Sequence, residues 1–200
     1  MHVEFCIQVN AVVHLGGSPT DLQHALLQGR KAFKHFLFTG HGDVPMPSAG
    51  ADEGADARRT VTLGFTNAMT KQFELTMPEN LADTLSSHGL SLIFLNGCST
   101  ADLGRKLRAR GVPHVVCWQT KAADAASRTL ARTFFSAVAA GRSFAEAFGD
   151  ATQAVKNMTT SRGGPLFELS NPDEVGAGEG GPPWAAGVPL LLSEDSEAGA

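Results

Sequence analysis

Two hundred residues, 42% of them hydrophobic, with a formal net charge of −4, suit one soluble globular domain with a real core. There is no basic surplus to suggest a nucleic-acid partner, and no apolar run approaches a membrane span. Met1-His2-Val3-Glu4 lacks the basic start of a secretory signal. Cys6, Cys98 and Cys117 are an odd number without close spacing, which argues against a disulfide framework and an all-cysteine zinc site. An intracellular, cytoplasmic protein is therefore expected.

Residues 3–14 are apolar and β-branched enough for one or two strands. Gly16-Gly17-Ser18-Pro19 is a turn, and Ser18 or Thr20 can cap a helix to about Gln28 with Leu22, Ala25 and Leu26 inward. Phe36 to Phe38 reads as a buried strand that delivers Gly40-His41-Gly42. Residues 43–60, with Pro45, Pro47, Gly50 and Gly54, read as a mobile loop. Val61–Phe65 and Gln72–Leu75 suggest a hairpin around Asn67-Ala68. Thr76-Met77-Pro78-Glu79 has the spacing of a capping box, opening a helix with Leu81 and Leu85 on its buried face.

Ser91 to Leu95 is a short, nearly unbroken apolar run, the pattern of a parallel strand covered on both faces. Asn96-Gly97 breaks it, Cys98 follows, and Thr100 can cap the next helix, with Leu103 and Leu107 on one face. Gly111-Val112-Pro113 stops that helix, and His114 to Trp118 is another buried strand. Asp124 opens a long helix with the stripe Ala126, Leu130, Phe134 and Val138. Ser143 and Glu146 form a second capping box, for a helix running to about Met158. Residues 159–187 read as a second mobile stretch, Val188–Leu192 as a last edge strand, and 193–200 as a disordered tail. Strand and helix alternate, so the expected fold is α/β: one domain over 1–192, with a mostly parallel sheet and helices on both faces.

Two strands of this plan end in reactive side chains, His41 and Cys98. The stretch between them accommodates one crossover between parallel strands, so the two can meet at one sheet edge, where ligands gather in open α/β folds. A thiol beginning a helix lies in a field that favours a thiolate. A cysteine nucleophile needs a base, which His41 can be. It also needs donors for an oxyanion, which the N–H groups of Gly42 and Cys98 can supply.

These blocks, Phe38-Thr39-Gly40-His41-Gly42 and Phe94-Leu95-Asn96-Gly97-Cys98-Ser99-Thr100, resemble the two signature blocks of the CHAT domain, a caspase-like family related to separases. Leu63-Gly64-Phe65-Thr66, Gly111-Val112-Pro113-His114-Val115-Val116 with Trp118 and Asp124, and Ser143 to Ala154 resemble further family stretches in the same order. The resemblance spans residues 10–192. It implies a caspase–hemoglobinase-like three-layer sandwich and a cysteine endopeptidase with a His41/Cys98 dyad acting on a protein or peptide substrate. It places Asp124 and the backbone near Trp118 and Gln119 beside a substrate pocket. The block here reads Trp-Gln-Thr-Lys-Ala-Ala-Asp, a departure from the usual Trp-x-Val-x-Asp. Neither a metal nor an organic cofactor is expected.

The plainer alternatives are specific. Cys98 could be a structural thiol, and His41-Gly42-Asp43 half of a metal site. Asp124 could simply be a first-turn helix acid, while Trp118 suits the core and a pocket wall equally; Cys117 reads as core. An inactive caspase-like fold serving as an interaction module is the alternative function. A nucleotide-binding domain lacks its phosphate loop here. A regulatory protein partner is among the expected interactions, and the sequence sets no oligomeric state.

Overall fold

The computed structural model describes residues 17–29, 33–45, 61–67, 69–174 and 182–194. The strands expected within 3–14, Cys6, Ala68 of the hairpin turn, most of the 43–60 loop, residues 175–181 and the tail beyond 194 lie outside the described residues.

Helix α1 (Pro19–Gln28) begins at Ser18, whose hydroxyl accepts the Asp21 N–H while the Asp21 carboxylate takes the Ser18 N–H. Strand β1 (His35–Thr39) follows. Two small antiparallel ladders come next: β2 (Val44–Pro45) with β3 (Val61–Thr62), and β4 (Phe65–Thr66) with β5 (Phe73–Glu74). The expected hairpin is therefore shorter than its sequence signal, because Leu63-Gly64 breaks the first run and sends Val61-Thr62 to a different partner. Asn67 makes the turn, its Oδ1 accepting the N–H groups of Met69 and Thr70.

Helix α2 (Pro78–Ser86) corrects one expectation. Proline is favoured at the first helical position, and Pro78 occupies it, so Met77 is the cap residue and Thr76 lies one place too early to cap. Glu79 pairs instead with Lys106, at 2.7 Å. Strand β6 (Leu92–Asn96) then leads through the Cys98 turn to α3 (Ala101–Ala109) and β7 (His114–Trp118). Helix α4 (Asp124–Ala139) and α5 (Phe144–Lys156) pack as a pair. Gly111 and Gly141, with φ of +86° each, make the left-handed turns that follow α3 and α4. Ser143 and Glu146 form the expected capping box of α5.

Residues 159–174 carry hydrogen-bonded turns and a short strand, β8 (Phe167–Glu168), paired in parallel with β9 (Trp184–Ala185). Strand β10 (Pro189–Ser193) closes the chain's described part.

The central sheet has the order β1-β6-β7-β10, with β1, β6 and β7 parallel and β10 antiparallel to β7. All five residues of β6 are buried. Their alternation divides the core into two compartments. Ile93 and Leu95 join Leu26 of α1, Leu81 and Leu85 of α2, and Leu103 and Leu107 of α3. Leu92 and Phe94 join Ala126, Leu130 and Phe134 of α4, and Ala147, Ala151 and Val155 of α5. The protein is thus mixed α/β, with helices on both faces of a mostly parallel sheet, an arrangement compatible with a three-layer sandwich. No helix among the described residues is long and apolar enough to cross a membrane.

Candidate active site

The last register pair of β1 and β6 is Thr39 with Asn96, and Gly40 N–H donates to the Asn96 carbonyl at 3.2 Å. Each strand then runs two residues further, one to His41 and the other to Cys98, so parallel pairing alone brings the two residues to equivalent positions at one sheet edge. The two turns are in backbone contact. A Cβ on Gly97 would stand 2.7 Å from the Gly40 carbonyl oxygen and 3.0 Å from Gly42 N. The space beside Gly42 is taken by the Thr100 methyl group and the Cys98 carbonyl oxygen. Both glycines are therefore packing requirements: a side chain on either would force the turns apart. The His41 carbonyl also accepts the Gly64 N–H at 2.8 Å.

His41 itself is exposed, with its ring 6.1 Å from that of Phe73. Cys98 is half-buried, and Ser99 behind it has φ of +52°, a left-handed conformation costly for a residue with a side chain. That sharp turn is held by the Ser99 N–H donating to the Thr120 carbonyl at 2.9 Å. The Cys98 sulfur accepts the Ala122 N–H at 3.4 Å and lies 3.9 Å from the Ala122 carbonyl oxygen. Among the described residues no hydrogen bond joins it to His41, and the N–H groups of Gly42 and Cys98 have no acceptor.

The three residues expected at the pocket have different surroundings. Trp118 is fully buried, its indole N–H donating to Asn96 Oδ1 at 3.2 Å, so its ring belongs to the core and does not wall an open pocket. Gln119 is exposed, and its N–H donates to the Val188 carbonyl at 2.8 Å. Asp124 is exposed in the first turn of α4, whose cap residue, Ala123, provides no side-chain acceptor. Its charge there complements the helix dipole.

Several contributors escaped the sequence reading. The sequence suggests that Thr100 caps α3, but its hydroxyl makes no cap hydrogen bond and instead bonds the ends of β6 and β7. Asn96 closes the buried contact to Trp118. Lys121 pairs with Asp173 at 3.1 Å, and its ammonium is held above the usual lysine range, first by the Asp173 hydrogen bond. The contacts to Trp118 and Asp173 have no local signature, since each joins segments far apart in sequence.

A cleft of about 500 Å³ runs beside β1 on the His41 side, with Leu22, Phe38, Phe65 and Phe73 in its wall. Cys98 is not part of its lining. A smaller cavity of about 180 Å³ lies behind the turns, against Gly42, Ser99 and Thr100. Among the described residues no three His, Cys, Asp or Glu side chains come together as metal ligands.

A doubly covered α/β sheet with histidine and cysteine ending neighbouring parallel strands defines the class. The CHAT domain family matches residues 8–168, and the chain belongs to that family. The CHAT domain is related to caspase-like cysteine peptidases. No curated protein matches the chain.

Proposed function

We propose that this protein is a cysteine endopeptidase of the caspase–hemoglobinase fold, acting on intracellular protein or peptide substrates through His41 and Cys98. The observation that supports the reading is the equal two-residue extension of β1 and β6, which brings His41 and Cys98 to equivalent backbone positions at one sheet edge, with the N–H groups of Gly42 and Cys98 engaging no acceptor among the described residues. The Cys98 thiol passes its proton to the His41 ring, and the sulfur bonds to the scissile carbonyl carbon. The oxyanion is held by the N–H groups of Gly42 and Cys98. As the C–N bond breaks, His41 gives the proton to the departing amine. Water, deprotonated by His41, then releases the acyl group from sulfur. Before substrate arrives the thiol rests on Ala122, and catalytic hydrogen bonds commonly tighten only in the complex.

One observation favours the alternative, an inactive interaction module: the sulfur bonds Ala122 and not His41. Site-resolved alkylation and cleavage of an unstructured protein separate the two readings. The peptidase cleaves, Cys98→Ala abolishes cleavage, and His41→Ala lowers both cleavage and Cys98 alkylation by about 100-fold. Alkylation of Cys98 at the same slow rate with and without His41, together with no cleavage, identifies the module.

A further inference from the structure

We infer that Thr100 is a positioning residue that locks the Cys98 turn to the His41 turn, a role that rests on the dyad reading above. Thr100 is 1% exposed and sits directly beneath both turns. Its hydroxyl has one proton and two acceptor positions. The proton is shared between the Leu95 carbonyl, at 3.2 Å, and the Gly97 carbonyl, at 3.1 Å. The oxygen accepts the Trp118 N–H at 3.1 Å. One hydroxyl therefore joins the end of β6, the residue just before Cys98 and the end of β7.

The methyl group does the other half. It fills the space in which a Cβ on Gly42 would stand, so it backs the turn that carries His41. Serine would keep the hydroxyl and lose this support. Valine would keep the methyl contact and orphan a buried N–H. Only threonine, among residues of this size, supplies both arms. The capping role that the sequence suggests is absent: no helical N–H reaches the Thr100 side chain.

Asn96 reinforces the lock from the same strand. Its carbonyl accepts Gly40 N–H and its side chain accepts the Trp118 indole, so β1, β6 and β7 are tied within one turn of the site. Buried polar networks of this kind fix geometry because every member has a partner and none can relax without leaving one unpaired.

The test measures alkylation of Cys98 by iodoacetamide in the full chain, with and without His41, in Thr100→Val, Thr100→Ser and Thr100→Ala. Amide exchange at Trp118 is followed in parallel. Loss of the hydroxyl in Thr100→Val reduces the His41-dependent part of the rate by ~10-fold or more, as displacement of a reacting group by a fraction of an ångström does; Thr100→Ser, which loses only the methyl contact, reduces it by about threefold. A residue with a merely structural role would lower the folded fraction and leave the ratio with and without His41 unchanged in the folded protein, and that result overturns the proposal. If Thr100→Val does not fold, Thr100→Ala, which adds no bulk, gives the same reading. If the wild-type rate has no His41 component, the dyad reading fails by itself. Trp118 exchange then decides the hydroxyl arm of the lock: faster exchange in Thr100→Val than in Thr100→Ser supports it, and unchanged protection refutes it.

Discussion

Two described cysteines show how environment separates one residue type into two chemistries. Cys117 is buried within β7, and burial pushes its thiol up to about 12. It has almost no thiolate at neutral pH and no path for a reagent. Cys98 stands at a turn, half-exposed, with a backbone N–H aimed at its sulfur. In native protein at pH 7, mass-spectrometric mapping after iodoacetamide should find Cys98 modified and Cys117 intact, with Cys117 reacting only once the chain is unfolded. Modification of both at equal rates in the native state would contradict the burial. Both assignments were legible in the sequence, because an apolar run predicts a core thiol and an Asn-Gly break predicts a turn. The resting partner of Cys98 was not, since Ala122 reaches the sulfur from another loop through its backbone, which carries no residue signature.

Helix starts show the same division between local and distant information. Ser18 and Ser143 cap as expected because a capping box is closed within four residues: the hydroxyl, the acid and both N–H groups belong to one short segment. Thr76 has capping-box spacing and Thr100 directly precedes its helix, yet neither side chain caps. Pro78 shifts the first helical position in one case, and the hydroxyl is claimed by carbonyls and by the distant Trp118 N–H in the other. Ser143→Ala should therefore cost about 1 kcal/mol of stability in denaturant unfolding, while Thr76→Ala should cost no more than a few tenths. Equal losses would mean that Thr76 caps α2 after all. The basic run of α3 also depends on distant partners. Lys106 and Arg110 reach Glu79 and Asp83 on α2, so this charged face links two helices. These exposed pairs add little individually, though the Lys106 hydrogen bond holds the Glu79 carboxyl below its usual range. The two-residue ladders were illegible for a simpler reason: strands so short have no periodicity to detect.

For the molecule as a whole, the alternation of strand and helix was enough to foresee a parallel sheet covered on both faces, because β6 and β7 contain no polar face that water could wet. The antiparallel return of β10 beside β7 was foreseen only as an edge strand. Its direction depends on the path after α5, which composition does not encode. The far end of the sheet from the candidate site carries His35, whose ring lies 5.6 Å from that of Phe144; loss of solvation there lowers its affinity for a proton below the ordinary 6.5. Between its folded value and 6.5 the unfolded chain binds more protons, so this residue makes stability rise with pH through that window and fall on acidification. The ring is still partly exposed, so the slope is shallow. His35→Gln should flatten the pH dependence of the unfolding midpoint between pH 5 and 7, within about the contribution of one histidine; an unchanged slope would assign it elsewhere. One further property follows from the buried indole of Trp118. The chain has no tyrosine and two tryptophans, of which Trp184 is 45% exposed. Ultraviolet emission therefore comes from one wet indole and one dry indole tied to Asn96 directly under the turns. Once a soluble quencher has silenced the first, the remaining light is an optical gauge, with no added label, of whether the floor of the site is in place.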